Sequence, residues 1–114
     1  MSNYAQRKGS GAERDVVVWL RDNGYQYADR RLAGATLDKG DVSGIPGVTI
    51  EIKNHAKMDL AGWVSELEVE MKNDNAWTGV VIHKRKGKGD VGQWYASMPA
   101  SVWLALLKKA DGKA

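Results

Sequence analysis

Apolar positions along the chain recur with different spacings, and each spacing predicts an element. Val16, Trp19 and Leu20 share one face of a helical repeat, behind a Ser10-Gly11-Ala12-Glu13 run with the Ser-x-x-Glu capping-box pattern. A helix is predicted from about Ser10 to Asn23, stopped by Gly24. Tyr25 and Tyr27 alternate with polar residues and predict a strand over 25–32, and 33–39 reads as a loop. Ile45-Pro46-Gly47-Val48 fits a type II turn. Beyond it Val48, Ile50 and Ile52 alternate with Thr49, Glu51, Lys53 and His55, so 41–55 is predicted to be a hairpin with one buried apolar side and one charged side. Asp59 is placed to cap a second helix to about Asn73, with Leu60, Trp63, Val64, Leu67 and Met71 as its apolar stripe. Thr78–Lys84 is a continuous β-branched run, the mark of a strand buried on both sides. After the Gly/Lys loop 85–92 come a strand over 93–98 and a last helix opened by Pro99, with Val102, Trp103, Leu106 and Leu107 apolar. The order is helix, three strands, helix, two strands, helix: one α/β domain over 1–114 with a mixed sheet flanked by helices. Residues 1–9 are expected to form a flexible basic start, and 110–114 a flexible end.

Composition narrows the function. With 114 residues the chain has room for one core. It has no cysteine, which excludes a disulfide scaffold, a thiolate metal site and a cysteine nucleophile. Its two histidines, His55 and His83, are too few for a histidine-rich metal centre and make a Ser-His-Asp triad improbable. No run approaches a membrane span and no leader is recognisable, so a cytoplasmic protein is expected. The formal net charge is +3, unevenly distributed: +2 over residues 1–31, −4 over 32–76 and +5 over 77–114. Basic flanks suit a polyanion such as nucleic acid, and an acidic centre suits a cation. The same acids also fit a solvated helix face.

Glu51 and Lys53 are two apart on a strand and leave the same face, and Asp41 lies across the predicted hairpin from them. Two carboxylates supplemented by backbone and water oxygens suit Mg²⁺ or Mn²⁺. A lysine beside such an ion can orient or help deprotonate a water, or stabilise charge on a phosphate. Glu13 is open to two readings, a third carboxylate of the site or the capping-box partner of Ser10. Strand context, turn chemistry and same-face geometry converge on Asp41, Glu51 and Lys53.

Arg7-Lys8-Gly9-Ser10 followed by Glu13-Arg14, then Gly40-Asp41, a turn, and Glu51-Ile52-Lys53, resembles the archaeal-type Holliday junction resolvases of the PD-(D/E)XK nuclease superfamily. The likeness runs in order to about Met98. It implies a restriction-endonuclease-like fold and Mg²⁺-dependent hydrolysis of phosphodiester bonds in four-way DNA junctions, with Mn²⁺ as a substitute. It implies that Asp41 and Glu51 ligate the metal, that Glu13 binds it directly or through water, and that Lys53 assists the attacking water. It also implies a homodimer, since two strands are cut symmetrically, in a bacterial or phage-infected cell. Gly40 stands where the motif has proline, which removes no ligand.

The candidates for DNA contact are Arg7, Lys8, Arg14, Arg30, Arg31, His55, Lys57, Arg85, Lys86 and Lys88. Arg30 and Arg31 fit equally as partners of Asp29 and Asp38, and the Arg85–Gly89 loop fits a solvated hairpin turn. Glu66 and Glu70, a turn apart on the second helix, fit a solvated face, with one of them able to point at the metal site. The tryptophans are expected mostly in the core, with some available for a subunit contact. Two alternatives stand beside a resolvase: another nuclease of the fold, restriction-like or a repair nicking enzyme, and a catalytically silent nucleic-acid-binding module. The intact set Glu13, Asp41, Glu51 and Lys53 argues against the silent module.

Overall fold

The computed structural model describes residues 4–32 and 37–113, with their side chains from Lys8 onward. The elements are α1 (Tyr4–Asp22), β1 (Asp29–Arg30), β2 (Val42–Ser43), β3 (Val48–Lys53), α2 (Leu60–Asn73), β4 (Thr78–His83), β5 (Tyr95–Ser97) and α3 (Ala100–Ala110), with a single 3-10 turn at Val91–Gln93. The order is the one the hydrophobic pattern predicts. β3, β4 and β5 form a mixed sheet in that order, β3 parallel and β5 antiparallel to β4. The parallel pair requires a crossover, and α2 supplies it.

Both faces of this sheet are covered. On one side Ala12, Val16 and Leu20, recurring every fourth residue of α1, pack with Val17 against Ile50, Ile52 and Ile82. On the other, Trp63 and Leu67 of α2 pack against Val81. Val16, Leu67 and Val81 have no exposed surface. Full burial of such aliphatic side chains contributes roughly 1.5–3 kcal/mol each. The Asp59 carboxylate accepts from the Gly62 N–H and starts α2 where its capping signal stands. The Ile45–Val48 turn forms as expected, closed by the Val48 N–H on the Ile45 carbonyl with Gly47 at φ 80°.

Several local expectations are corrected. α1 begins at Tyr4, so Ser10 and Glu13 lie inside a helix and no capping box exists. The stretch expected to be flexible is helical from residue 4 to 9. Gly9 and Gly11 therefore sit within the helix, where each is about 1 kcal/mol worse than alanine. A Cβ at either would meet nothing within 4 Å, so packing within the fold does not require them. The strand expected over 25–32 shrinks to Asp29–Arg30, because the chain leaving α1 turns first: the Ala28 N–H bonds the Tyr25 carbonyl and Ala28 is fully buried. The 41–55 hairpin is not regular either. β2 pairs antiparallel with β1, and it is the Asp41 N–H, just ahead of β2, that hydrogen-bonds β3 at the Ile50 carbonyl. The polar face of β3 is not solvated, because α2 lies over Thr49 and Glu51. α3 buries none of its residues, leaving Trp103, Leu104 and Leu107 exposed, while Lys109 sits 4.1 Å over the Trp77 ring. Of the tryptophans, Trp63 and Trp94 are buried, Trp19 is half-buried, and Trp77 and Trp103 are exposed. The C-terminal end closes on α3 through the Lys113 N–H and the Lys108 carbonyl. Of the expected loop, 33–36 lie outside the described residues. Among the described residues no helix is long and apolar enough to cross a membrane.

Candidate metal centre

The site forms along the edge of β3 not used by β4. At Gly40 the backbone takes φ +92°, and a Cβ there would stand 2.9 Å from the Ile50 carbonyl oxygen. A proline, fixed near φ −65°, cannot occupy that position, which accounts for glycine where the resembling motif has proline. This close approach lets the Asp41 N–H bond the Ile50 carbonyl at 2.8 Å, while Asp41 Oδ2 accepts from the Ile52 N–H at 2.7 Å. Asp41 is thus bound to the strand at both backbone and side chain, and its carboxyl lies against that of Glu51.

Glu51 leaves β3 toward α2 and is 5% exposed. Glu70 meets it from α2, 2% exposed, and Asp38 closes the group. One carboxylate oxygen from each of Asp38, Glu51 and Glu70 lies within 4.8 Å of the others. Asp38 is held in place by its own backbone: its carbonyl accepts from Asn73 Nδ2 at 2.8 Å, and its Oδ1 accepts from the Gly40 N–H. Among the described residues no amide, hydroxyl or cationic donor reaches either carboxylate oxygen of Glu70, whose polar neighbours are the carboxyls of Glu51 and Asp38. A buried carboxylate without a donor is costly, and a divalent cation among the three oxygens would remove that cost. Oxygen-only donors of this charge suit Mg²⁺ or Mn²⁺, so the residues present fit the ion.

The electrostatics agree. Burial, followed by the neighbouring Glu51, pushes the Asp41 carboxyl up to about 8. Burial also pushes Glu51 up to about 8, with Asp41 opposing and Glu70 adding to the rise. Burial and then Asp38 push Glu70 up to about 7. Crowded carboxyls of this kind keep their protons unless a cation replaces them.

Two cations flank the group. Burial works to lower the Lys53 pKa, but the ion pair to Glu66 at 2.9 Å, with Glu51 and Asp41 behind it, holds the ammonium above its ordinary value. Lys53 is therefore a proton donor and a positive charge at neutral pH, not a base. Arg30 pairs with Glu13 at 2.8 Å. Burial and then the neighbouring Asp41 raise Glu13, against the pull of Arg30, so Glu13 touches the cluster through Asp41.

The structure thus brings Glu13, Asp41, Glu51 and Lys53 together and adds Asp38 and Glu70. Glu70 carries a signal in the sequence: it falls in phase with Trp63 and Leu67 on the buried stripe of α2. Asp38 carries none, since its place depends on Asn73 from a distant helix. Among the DNA-contact candidates, Arg30 and Arg31 pair with Glu13 and Asp74, in place of the expected Asp29 and Asp38. Arg14 and Lys57 are exposed. His55 is exposed beyond the end of β3, with its ring 5.5 Å from that of Trp63. Arg85 lies over the Tyr95 ring, the Lys88 carbonyl accepts from Trp94 Nε1, and Lys8 and Lys86 line a common cleft. The side chain of Arg7 lies outside the described residues.

The two roles open to Glu13 are now separable. With Ser10 inside α1, Ser10→Ala is expected to leave both melting temperature and any activity of the site unchanged. Glu13→Gln keeps the helix but loses the charge beside Asp41 and Arg30, and is expected to lower activity about 10²-fold, the usual scale for groups that orient a metal ligand. Equal activities in the two variants would assign Glu13 a purely structural role.

No protein-family model, curated protein or solved structure matches the chain. The described residues define an α/β domain whose mixed sheet carries, at one edge, a cluster of carboxylates, with Glu51 and Glu70 buried and Asp38 exposed, flanked by a lysine.

Proposed function

We propose that the protein is a metal-dependent endonuclease of the PD-(D/E)XK type that hydrolyses DNA phosphodiester bonds, with four-way junctions as its substrate. The observation that carries the reading is the buried Glu70 carboxylate, whose polar neighbours are the carboxyls of Glu51 and Asp38, beside Asp41 and Lys53. Glu51 and Asp41 would hold Mg²⁺, or Mn²⁺ in its place, with Glu70 and Asp38 completing the oxygen shell. The ion, when bound, supplies Lewis-acid stabilisation of charge on the phosphate. The remaining roles belong to the chain. Asp41 is fixed by the Ile52 N–H, so its carboxylate is presented in one orientation. Glu66 holds the Lys53 ammonium at the mouth of the site, where it can donate to a phosphate oxygen or orient a water by hydrogen bonding. Arg30 pairs with Glu13 and opposes the rise that burial and Asp41 impose on its carboxyl.

The exposed apolar face of α3, with Trp103, Leu104 and Leu107, supports the homodimer that a symmetric junction cut requires. The deciding experiment incubates the protein with labelled junction, fork, duplex and single-stranded DNA in Mg²⁺ or in EDTA. Mg²⁺-dependent cutting with the junction preferred is expected. Preference for another DNA form points to a restriction-like or repair nicking enzyme, and binding to DNA without cutting points to a silent module.

The raised carboxyls also predict how stability depends on pH. In the unfolded chain these groups ionise near pH 4, whereas in the fold Asp41 and Glu51 hold protons to about 8 and Glu70 to about 7. A folded value above the unfolded one gives stability that is complete below about pH 4 and lost as the pH climbs toward 8. Without metal, the melting temperature is expected to fall by at least about 5 °C between pH 5 and pH 8. Millimolar Mg²⁺ should restore it at pH 8 and do little at pH 5, where protons compete. A Mg²⁺ effect of equal size at both values would dissociate these carboxyls from the metal.

A further inference from the structure

A cleft of about 860 Å³ opens on the α1 side of the sheet, beyond the C-terminal ends of β3 and β4. Its walls come from three separate segments: Lys8 and Gly11 on α1, Asn54 and His55 after β3, and Lys84 and Lys86 after β4. Three lysines, Lys8, Lys84 and Lys86, and one acid, Asp15, line the cleft. Lys53, at the end of β3, directly precedes Asn54 of this lining, so the strand that carries Glu51 on its α2 side runs into the cleft on its α1 side. Gly11 lines the cleft without a steric reason to be glycine, since a Cβ there meets nothing. What glycine provides at this position is open volume in a cleft that three lysines line.

We propose that this cleft is the seat of a DNA strand, holding a stretch of sugar-phosphate backbone beyond the C-terminal ends of β3 and β4, with Lys84 and Lys86 on its phosphates and Gly11 leaving room for the strand. The choice of ligand rests on the nuclease reading. Lys84 is a residue that the charge pattern alone does not single out. It directly follows His83, the last residue of β4, and its Nζ lies 5.7 Å from the centre of the Trp94 ring, a cation–π contact that holds the ammonium beside the cleft. Lys86, by contrast, belongs to the glycine-containing loop, and the structure sends it into the cleft while its neighbour Arg85 lies over Tyr95. The loop is thus divided between two surfaces and does not act as one basic patch.

The test measures binding of fluorescent junction and duplex DNA by anisotropy in EDTA over a series of salt concentrations, and cleavage separately in Mg²⁺. A Cβ at Gly11 meets nothing within 4 Å, so Gly11→Leu extends a side chain from there into the cleft, and it is expected to weaken DNA binding at least tenfold with an undiminished melting temperature. Lys84→Ala/Lys86→Ala is expected to reduce the slope of log affinity against log salt by about 1.8, two phosphate contacts at roughly 0.9 each. Unlabelled single-stranded oligonucleotide should compete with labelled DNA, and inorganic phosphate at millimolar concentration should not; displacement by inorganic phosphate makes this a small-anion site and overturns the proposal. Wild-type affinity and cleavage in both folded variants overturn the cleft and leave the nuclease reading standing. Weakened binding by variants of a wild type that binds DNA but does not cut it upholds the cleft and removes the nuclease reading.

Discussion

Glu51→Gln is expected to reduce DNA cleavage by about 10³-fold or more, several kcal/mol of transition-state stabilisation, while DNA affinity measured in EDTA stays the same or rises. The argument starts from burial. Glu51 is 5% exposed and lies between Asp41 and Glu70, so its carboxylate contacts both halves of the cluster. Replacing an oxygen by an amide nitrogen removes a ligand and a charge together, without changing the volume that α2 packs against. Asp41→Asn should act likewise but with an added loss of stability. Asp41 Oδ2 accepts from the Ile52 N–H at 2.7 Å, and an amide placed with its nitrogen there would face a donor with a donor. The two variants therefore separate chemistry from structure: both abolish cutting, and Asp41→Asn also melts earlier. Near-normal cleavage by Glu51→Gln would remove it from the metal site.

The fold was largely legible because its signals are local. The alternation over Val48–Lys53, the β-branched run Thr78–His83 and the stripe on α2 each specify an element within one window, and each forms where it is expected. The errors fall where a distant segment decides. Ser10 and Glu13 carry a valid capping pattern, yet residues ahead of them extend the helix and the pattern goes unused. Tyr25 and Tyr27 alternate like strand residues, but both are exposed and the chain there is turning. The polar face of β3 looks solvated in sequence, since nothing near Glu51 announces that α2 returns to cover it. That return is what makes the site. Asp41, Glu51 and Lys53 are readable as a motif, whereas Asp38 and Glu70 become partners only through the crossover that brings α2 over β3.

Glu70 offers the sharpest separation of stability from function. It is 2% exposed, no amide, hydroxyl or cationic donor reaches its carboxylate among the described residues, and burial, opposed by Glu51 and aided by Asp38, pushes its pKa up to about 7. Above that pH the metal-free fold holds an uncompensated negative charge beside Glu51 and Asp38. Glu70→Gln removes the charge, preserves the shape, and supplies an N–H₂ that either neighbour can accept from. Its metal-free melting temperature at pH 8 is therefore expected to exceed the wild-type value by several degrees, each kcal/mol being worth about 4 °C in a chain of this size. At pH 5 the wild-type carboxyl is already protonated, so the gain should nearly vanish. In Mg²⁺ the order reverses. The variant has one fewer anionic oxygen for the ion, so the rise in melting temperature on adding Mg²⁺ should shrink, and cleavage should fall by about 10²-fold or more. A residue that destabilises its own fold and is needed by the site shows the trade expected of a functional carboxylate. Were Glu70→Gln instead to melt earlier than wild type at pH 8 and bind Mg²⁺ as well, the buried acid would be a structural group satisfied within the fold, and the ion would have to be held by Asp41 and Glu51 without it.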